Sequence, residues 1–109
     1  MIPLSQEAGH GLVRAARAAI HEALGTETIE IPQAAFVEVP GASFVTLRQY
    51  GELRGCVGSV EPHRSLIEDV CHNAIAAAFR DLRFRPLGVH ELPHTRVEVT
   101  VLGVPEALE

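Results

Sequence analysis

Between Phe44 and Val60 two runs of β-prone residues, Phe44 to Tyr50 and Leu53 to Val60, are separated by Gly51-Glu52. Glycine at the first central position of a two-residue loop is the signal for a type II′ hairpin. An antiparallel ribbon commits the chain to a sheet with at least one face to bury, and the remainder must supply the cover. The turn predicts a register: Tyr50 opposes Leu53, Gln49 opposes Arg54, Leu47 opposes Cys56 and Val45 opposes Gly58. One face then carries Val45, Leu47 and Cys56, with Gln49 and Arg54 at its turn end. The other carries Phe44, Thr46, Tyr50, Leu53 and Val57. A bulge at Gly55 or Gly58 would reverse part of this assignment, because strand side chains alternate with a period of two.

The cover is written on both sides of the hairpin. From Ser5 to Leu24, Ala8, Leu12, Ala16, Ala19, Ile20 and Ala23 form one stripe opposite Glu7, His10, Arg14, Arg17 and His21, an amphipathic helix stopped by Gly25. After Pro62, Ser65 and Glu68 form a capping box for a second helix. Its apolar stripe is Ile67, Val70, Cys71, Ala74, Ile75 and Ala78, with Asp69, His72, Asn73 and Ala76 facing elsewhere, and it ends near Arg80-Asp81. A short strand at Ala35–Val39, an irregular stretch from Leu82 to His94 and an alternating strand at Arg96–Leu102 complete the reading. The expectation is one α+β domain over residues 1–109, a mainly antiparallel sheet with two packing helices in the order α-β-β-β-α-β.

Composition narrows the function. The chain of 109 residues is 47% hydrophobic and 21% charged, a globular composition. Nine arginines against fourteen carboxylates give a formal net charge of −5, the wrong sign for a surface that must neutralise phosphates, so a nucleic-acid module is the weakest reading. No apolar run is long enough to span a bilayer, and no leader is evident, so the expected location is the cytoplasm with no membrane partner. Cys56 and Cys71 then read as free thiols, outside any C-x-x-C pair.

His90-Glu91-Leu92-Pro93-His94 matches H-E-x-x-H. Zinc chemistry needs both imidazoles on one face of a continuous helix, and Pro93 opposes that helix. The expectation is two surface histidines, no metal and no cofactor. Leu53-Arg54-Gly55-Cys56-Val57-Gly58-Ser59 is more informative. Two glycines inside a strand mark a bulge or the close approach of a backbone or ligand. Arg54 and Cys56, two apart, are expected to share a face, where a guanidinium favours the thiolate; the competing reading is a core thiol against Leu47. Cys71 reads as core, with His72 about 100° further round the helix. His63 and Arg64 precede the second helix as a solvated loop or an anion contact. Asn73 is expected to contact a neighbouring loop or stand exposed, and Asp81 with Arg83 to close the helix as a turn pair.

Three blocks, Phe44-Val45-Thr46-Leu47, Gly51-Glu52-Leu53-Arg54-Gly55-Cys56-Val57-Gly58-Ser59, and Asn73 to Asp81 with Arg83-Phe84, resemble the AMMECR family. Its prokaryotic members are called protein A of the AmmeMemoRadiSam system. The resemblance runs from Leu4 to Leu108, with Leu82 and Arg85 standing where the family commonly has proline. It implies a longer domain, so the C-terminal part usual in the family is expected to be lacking and a sheet edge to stand open; either a second copy covers that edge, or the chain is a fragment or shortened member. It implies no settled enzymatic activity, and the company of Memo-like and radical SAM proteins as partners. By position it marks Arg54, Gly55, Cys56, Gly58, Asn73, Asp81 and Arg83. The leading expectation is a binding or accessory component using the Arg54–Gly58 strand and Asn73 to contact a partner or small-molecule ligand. The alternative is an enzyme with Cys56 as nucleophile beside Arg54.

Overall fold

The computed structural model describes residues 6–26, 39–102 and 107–108. Helix α1 (Gln6–Ala23) is followed by strands β1 (Ser43–Gln49) and β2 (Glu52–Gly58). Helix α2 (Leu66–Phe79), a 3-10 helix (Val89–His94), β3 (Thr95–Val101) and the two-residue β4 (Ala107–Leu108) complete the order. The sheet runs β2-β1-β3-β4, antiparallel throughout. Most of the expected strand at Ala35–Val39 lies outside the described residues; at its end Pro40 forms a bridge to Ser65. β4 was not anticipated, and it covers β3 at Val99 and Thr100, where an open edge was expected.

Both helices lie on one face of the sheet, α2 over β1 and β2 and α1 over β3. Between them sits one core: Leu12, Ala16 and Ile20 from α1, Leu66, Val70, Ala74 and Ala77 from α2, and Val45, Leu47, Val97, Val99 and Val101 from the sheet. Val45, Leu47 and Val99 are fully buried, each stabilising the fold by about 1.5–3 kcal/mol. The face away from the helices carries half-exposed Phe44, Thr46, Arg48, Glu98 and Thr100.

The hairpin departs from expectation in two places. Its central turn residues are Tyr50 and Gly51, at φ 54° and 81°, so the turn needs a positive φ twice, the requirement of type I′ rather than II′. Tyr50 bears the strain of that conformation and stacks on His94, ring centroids 5.5 Å apart. The register becomes Gln49↔Glu52 and Arg48↔Leu53, then shifts to Leu47↔Gly55, Thr46↔Cys56, Val45↔Val57 and Phe44↔Gly58. Arg54 is the extra residue, a bulge. Beyond it every pairing differs by one from the expected set, which reverses the faces. Val57 turns to the core and Cys56 turns away from it.

Helix α2 departs as well. Ser65 caps it as expected, its hydroxyl accepting from the Glu68 N–H at 3.3 Å and donating to the Glu68 carboxylate at 2.7 Å. Yet Asp69, Asn73 and Ala76, placed off the apolar stripe, are buried, while Ile67, Cys71 and Ile75 are only partly so. The helix is covered on two sides, by α1 and by the sheet, and a stripe chosen by hydrophobicity finds only one of them. His72 is exposed.

A Cβ at Gly55 would stand 2.2 Å from the carbonyl oxygen of Ala77. Neither group is a flexible side chain, so Gly55→Ala forces α2 away from β2. The expected loss is about 1–3 kcal/mol of stability, read as a lower urea midpoint with an unchanged m-value.

Candidate functional site

The bulge turns Arg54 inward, and the residue is 8% exposed. Its Nε and Nη2 donate to the two carboxylate oxygens of Glu91 at 3.1 and 3.2 Å, and Nη2 also donates to the Arg85 carbonyl at 2.9 Å. Glu91 further accepts from the Gly88 N–H at 2.8 Å and from Gln49 Nε2 at 3.3 Å. Gln49 reaches on to Thr95 Oγ1 at 3.1 Å, and that hydroxyl donates to the Glu91 carbonyl at 2.7 Å. Burial pushes the Glu91 carboxyl up, but the hydrogen bonds from Arg54, Gly88 and Gln49 outweigh it and hold the group down at about 2.

This arrangement disposes of the metalloprotease pattern. The H-E-x-x-H segment is a 3-10 helix rather than an irregular loop. At three residues per turn, positions four apart do not align. His90 and His94 are exposed, Glu91 is engaged with Arg54, and among the described residues no cluster of ligands could hold a metal ion.

Cys56 is half-buried on the helix-free face, its Sγ 3.3 Å from Thr46 Oγ1. Arg54 and Cys56 therefore do not share a face, contrary to expectation, because the bulge falls between them. The guanidinium brought towards Cys56 is that of Arg83, through a shared carboxylate. Asp81 accepts the Cys56 backbone N–H at 3.0 Å on the outer edge of β2 and binds Arg83 Nη2 at 2.7 Å and Nε at 3.0 Å. The hydrogen bond from Arg83 first, then those of the Cys56 and Arg83 backbone N–H groups, hold the Asp81 carboxyl far below its ordinary range against desolvation. The Arg83 cation is stabilised first by its hydrogen bond to Asp81, against desolvation, and then by the Asp81 charge. The Phe84 ring lies 5.7 Å from Arg54 Cζ and 5.5 Å from Arg83 Cζ.

Gly55 and Asn73 sit behind this edge, and Gly58 lies on the helix-free face beside Phe44. Gly55 is pressed on Ala77, and a Cβ at Gly58 would enter the Phe44 ring at 2.0 Å. Asn73, 2% exposed, donates to the Ser43 carbonyl at 3.0 Å, Ser59 Oγ at 3.2 Å and Asp69 Oδ2 at 3.1 Å. Asp69, wholly buried, also accepts from the Ser43 N–H and hydroxyl and from Ser59 Oγ, and is ion-paired with Arg64. This network ties the open ends of β1 and β2 to α2 with its acceptors filled. Cys71, on the α1 side of α2, points Sγ at the Ala15 carbonyl, and burial first, with Glu22, pushes its thiol up. His63 is exposed beside Arg64. Glu91 was met only in the H-E-x-x-H match, Gln49 and Thr46 only in the strand register and Phe84 only in the family resemblance; none was a candidate site residue. Glu91 is 37 positions from Arg54, and no local pattern joins them.

Because the folded Glu91 lies below its ordinary value near 4.5, its ionised form stabilises the fold. That contribution, on the order of 3 kcal/mol, is complete above pH ~4.5 and is lost as pH falls toward ~2. Urea midpoints measured across this range should fall less steeply in Glu91→Gln than in the wild type. Glu91→Ala, which leaves the Arg54 charge buried and unpaired, should cost about 3–5 kcal/mol at pH 7.

The AMMECR1 family model matches residues 13–109. A protein of Methanothermobacter thermautotrophicus is 44% identical over 111 aligned positions, which cover 98% of this chain and 57% of that protein. One from Aeropyrum pernix is 46% identical over 105, covering 92% and 46%. The crystal structure of an uncharacterized protein from Pyrococcus horikoshii is similar with a TM-score of 0.83 and 38% identity, covering 97% of this chain and 56% of that one. The chain spans about half the length of the relatives it matches. With nearly all of its residues aligned at such identity, and the same fold in a solved relative, it belongs to the AMMECR1 family.

Proposed function

We propose that the chain is a binding component whose contact surface is the outer edge and helix-free face of β2, with Cys56 and Arg83 at its centre and Arg54 buried beneath its turn end on Glu91. In this reading it works in the cytoplasm beside Memo-like and radical SAM proteins, without a cofactor of its own. The observation that carries it is the state of Cys56: its backbone is clasped by Asp81, while its side chain is on the face that neither helix covers. Gly55 and Asn73 hold that surface in shape from behind, and Gly58 leaves room for the Phe44 ring on the surface itself. Among the described residues no helix is long and apolar enough to cross a membrane. Nucleic acid is disfavoured further by pairing: Arg48, Arg54, Arg64 and Arg83 each face a carboxylate.

The second reading, an enzyme with Cys56 as nucleophile, draws on Thr46 Oγ1 at 3.3 Å and on Arg83, held by the same Asp81 that clasps the Cys56 N–H. It loses the Arg54 neighbour on which it was first based. Iodoacetamide labelling of Cys56, resolved by peptide mass spectrometry, separates the two. Binding predicts saturable protection by a purified Memo-like protein from the same genome, abolished by Arg83→Glu. An unchanged labelling rate at every partner concentration overturns that assignment. Labelling of the free protein many times faster than glutathione, without protection, favours the nucleophile.

A further inference from the structure

Arg54 keeps one donor group in reserve. Its Nε and Nη2 are occupied by Glu91 and the Arg85 carbonyl. Nη1 is buried and finds no acceptor among the described residues. A buried donor left unmatched costs on the order of 1–3 kcal/mol, so two N–H bonds here are a feature to be accounted for. The bulge puts them there, at a signature position whose charge is otherwise fully answered.

The surroundings define what would match them. Glu91 already neutralises Arg54, and Asp81 neutralises Arg83. An added anion would carry an unbalanced charge into this enclosed place, which is costly. A neutral oxygen acceptor adds no charge. The Phe84 ring lies near Arg54 Cζ and is only partly buried. It is carried on the turn that Asp81 fastens to β2, with its backbone N–H donating to the Asp81 carbonyl at 3.0 Å.

We propose that Arg54 Nη1 donates to the carbonyl oxygen of a small neutral ligand of amide or urea type, admitted when the Phe84 ring swings aside. This rests on the reading of β2 as a contact surface for its location, but its test needs no partner protein, so the two can fail separately. The probe is N-methylacetamide, titrated into uniformly 15N-labelled full chain while the guanidinium resonances are followed by NMR, with acetate in parallel. The expected result is a saturable shift at Arg54 several-fold larger than at Arg48 or Arg64, with acetate giving none. Phe84→Ala should tighten binding several-fold, with unchanged shifts at Val45 and Leu47 reporting an intact core. Three outcomes overturn the proposal: no saturable shift in either protein, saturation by acetate instead of the amide, or a crystal with an isolated water on Nη1 that the amide does not displace.

Discussion

The extra residue in β2 is the point from which the rest of the arrangement follows. Inserting Arg54 between Leu53 and Gly55 turns a long cation under the sheet, where Glu91 receives it in a two-pronged contact. The next residue must then present bare backbone to α2, because the Ala77 carbonyl already occupies the space of a side chain. One further step along, Cys56 emerges on the opposite side. Charge, close packing and thiol are thus distributed to three environments by one irregularity, and only glycine satisfies the middle one.

Polar groups carry much of the order of this small core. Asp69 and Asn73 sit where a hydrophobic stripe would ordinarily run, and they reach the ends of both β1 and β2. Arg17 donates to the carbonyls of Leu92 and Thr95, fastening the 3-10 helix to α1. Such networks hold register more sharply than apolar contact does, since each donor fits a single acceptor, and a half-satisfied one is worse than none.

Elements with strong local pattern were legible in the sequence: α1 as a helix, the Ser65 cap, and β3 with its alternating valines. Within α1, however, His21 of the expected polar stripe is buried and Ala23 of the apolar one is exposed. The hairpin was legible as a hairpin but not in register, because Tyr50 tolerates a backbone that favours Asn or Gly and the bulge leaves only glycine as its mark. The inner face of α2 was hidden because hydrophobicity cannot reveal a helix buried through Asp and Asn. Arg54 stood out in the sequence, but its partner could not be named, since the contact closes a long loop. The pairing of Asp81 with Arg83 was local and visible; its grip on the Cys56 N–H was tertiary and was not.

That grip has a consequence for how other chains can associate with this one. An edge strand ordinarily offers its free amides to any extended peptide, and many recognition modules recruit partners by such strand addition. At β2 the central outward amide is already taken by a carboxylate held in place by a guanidinium. An incoming peptide cannot extend the sheet there without first displacing the turn. Recognition on this side must therefore run through side chains and not through a shared backbone ladder, which makes it a matter of chemical identity more than of extended shape.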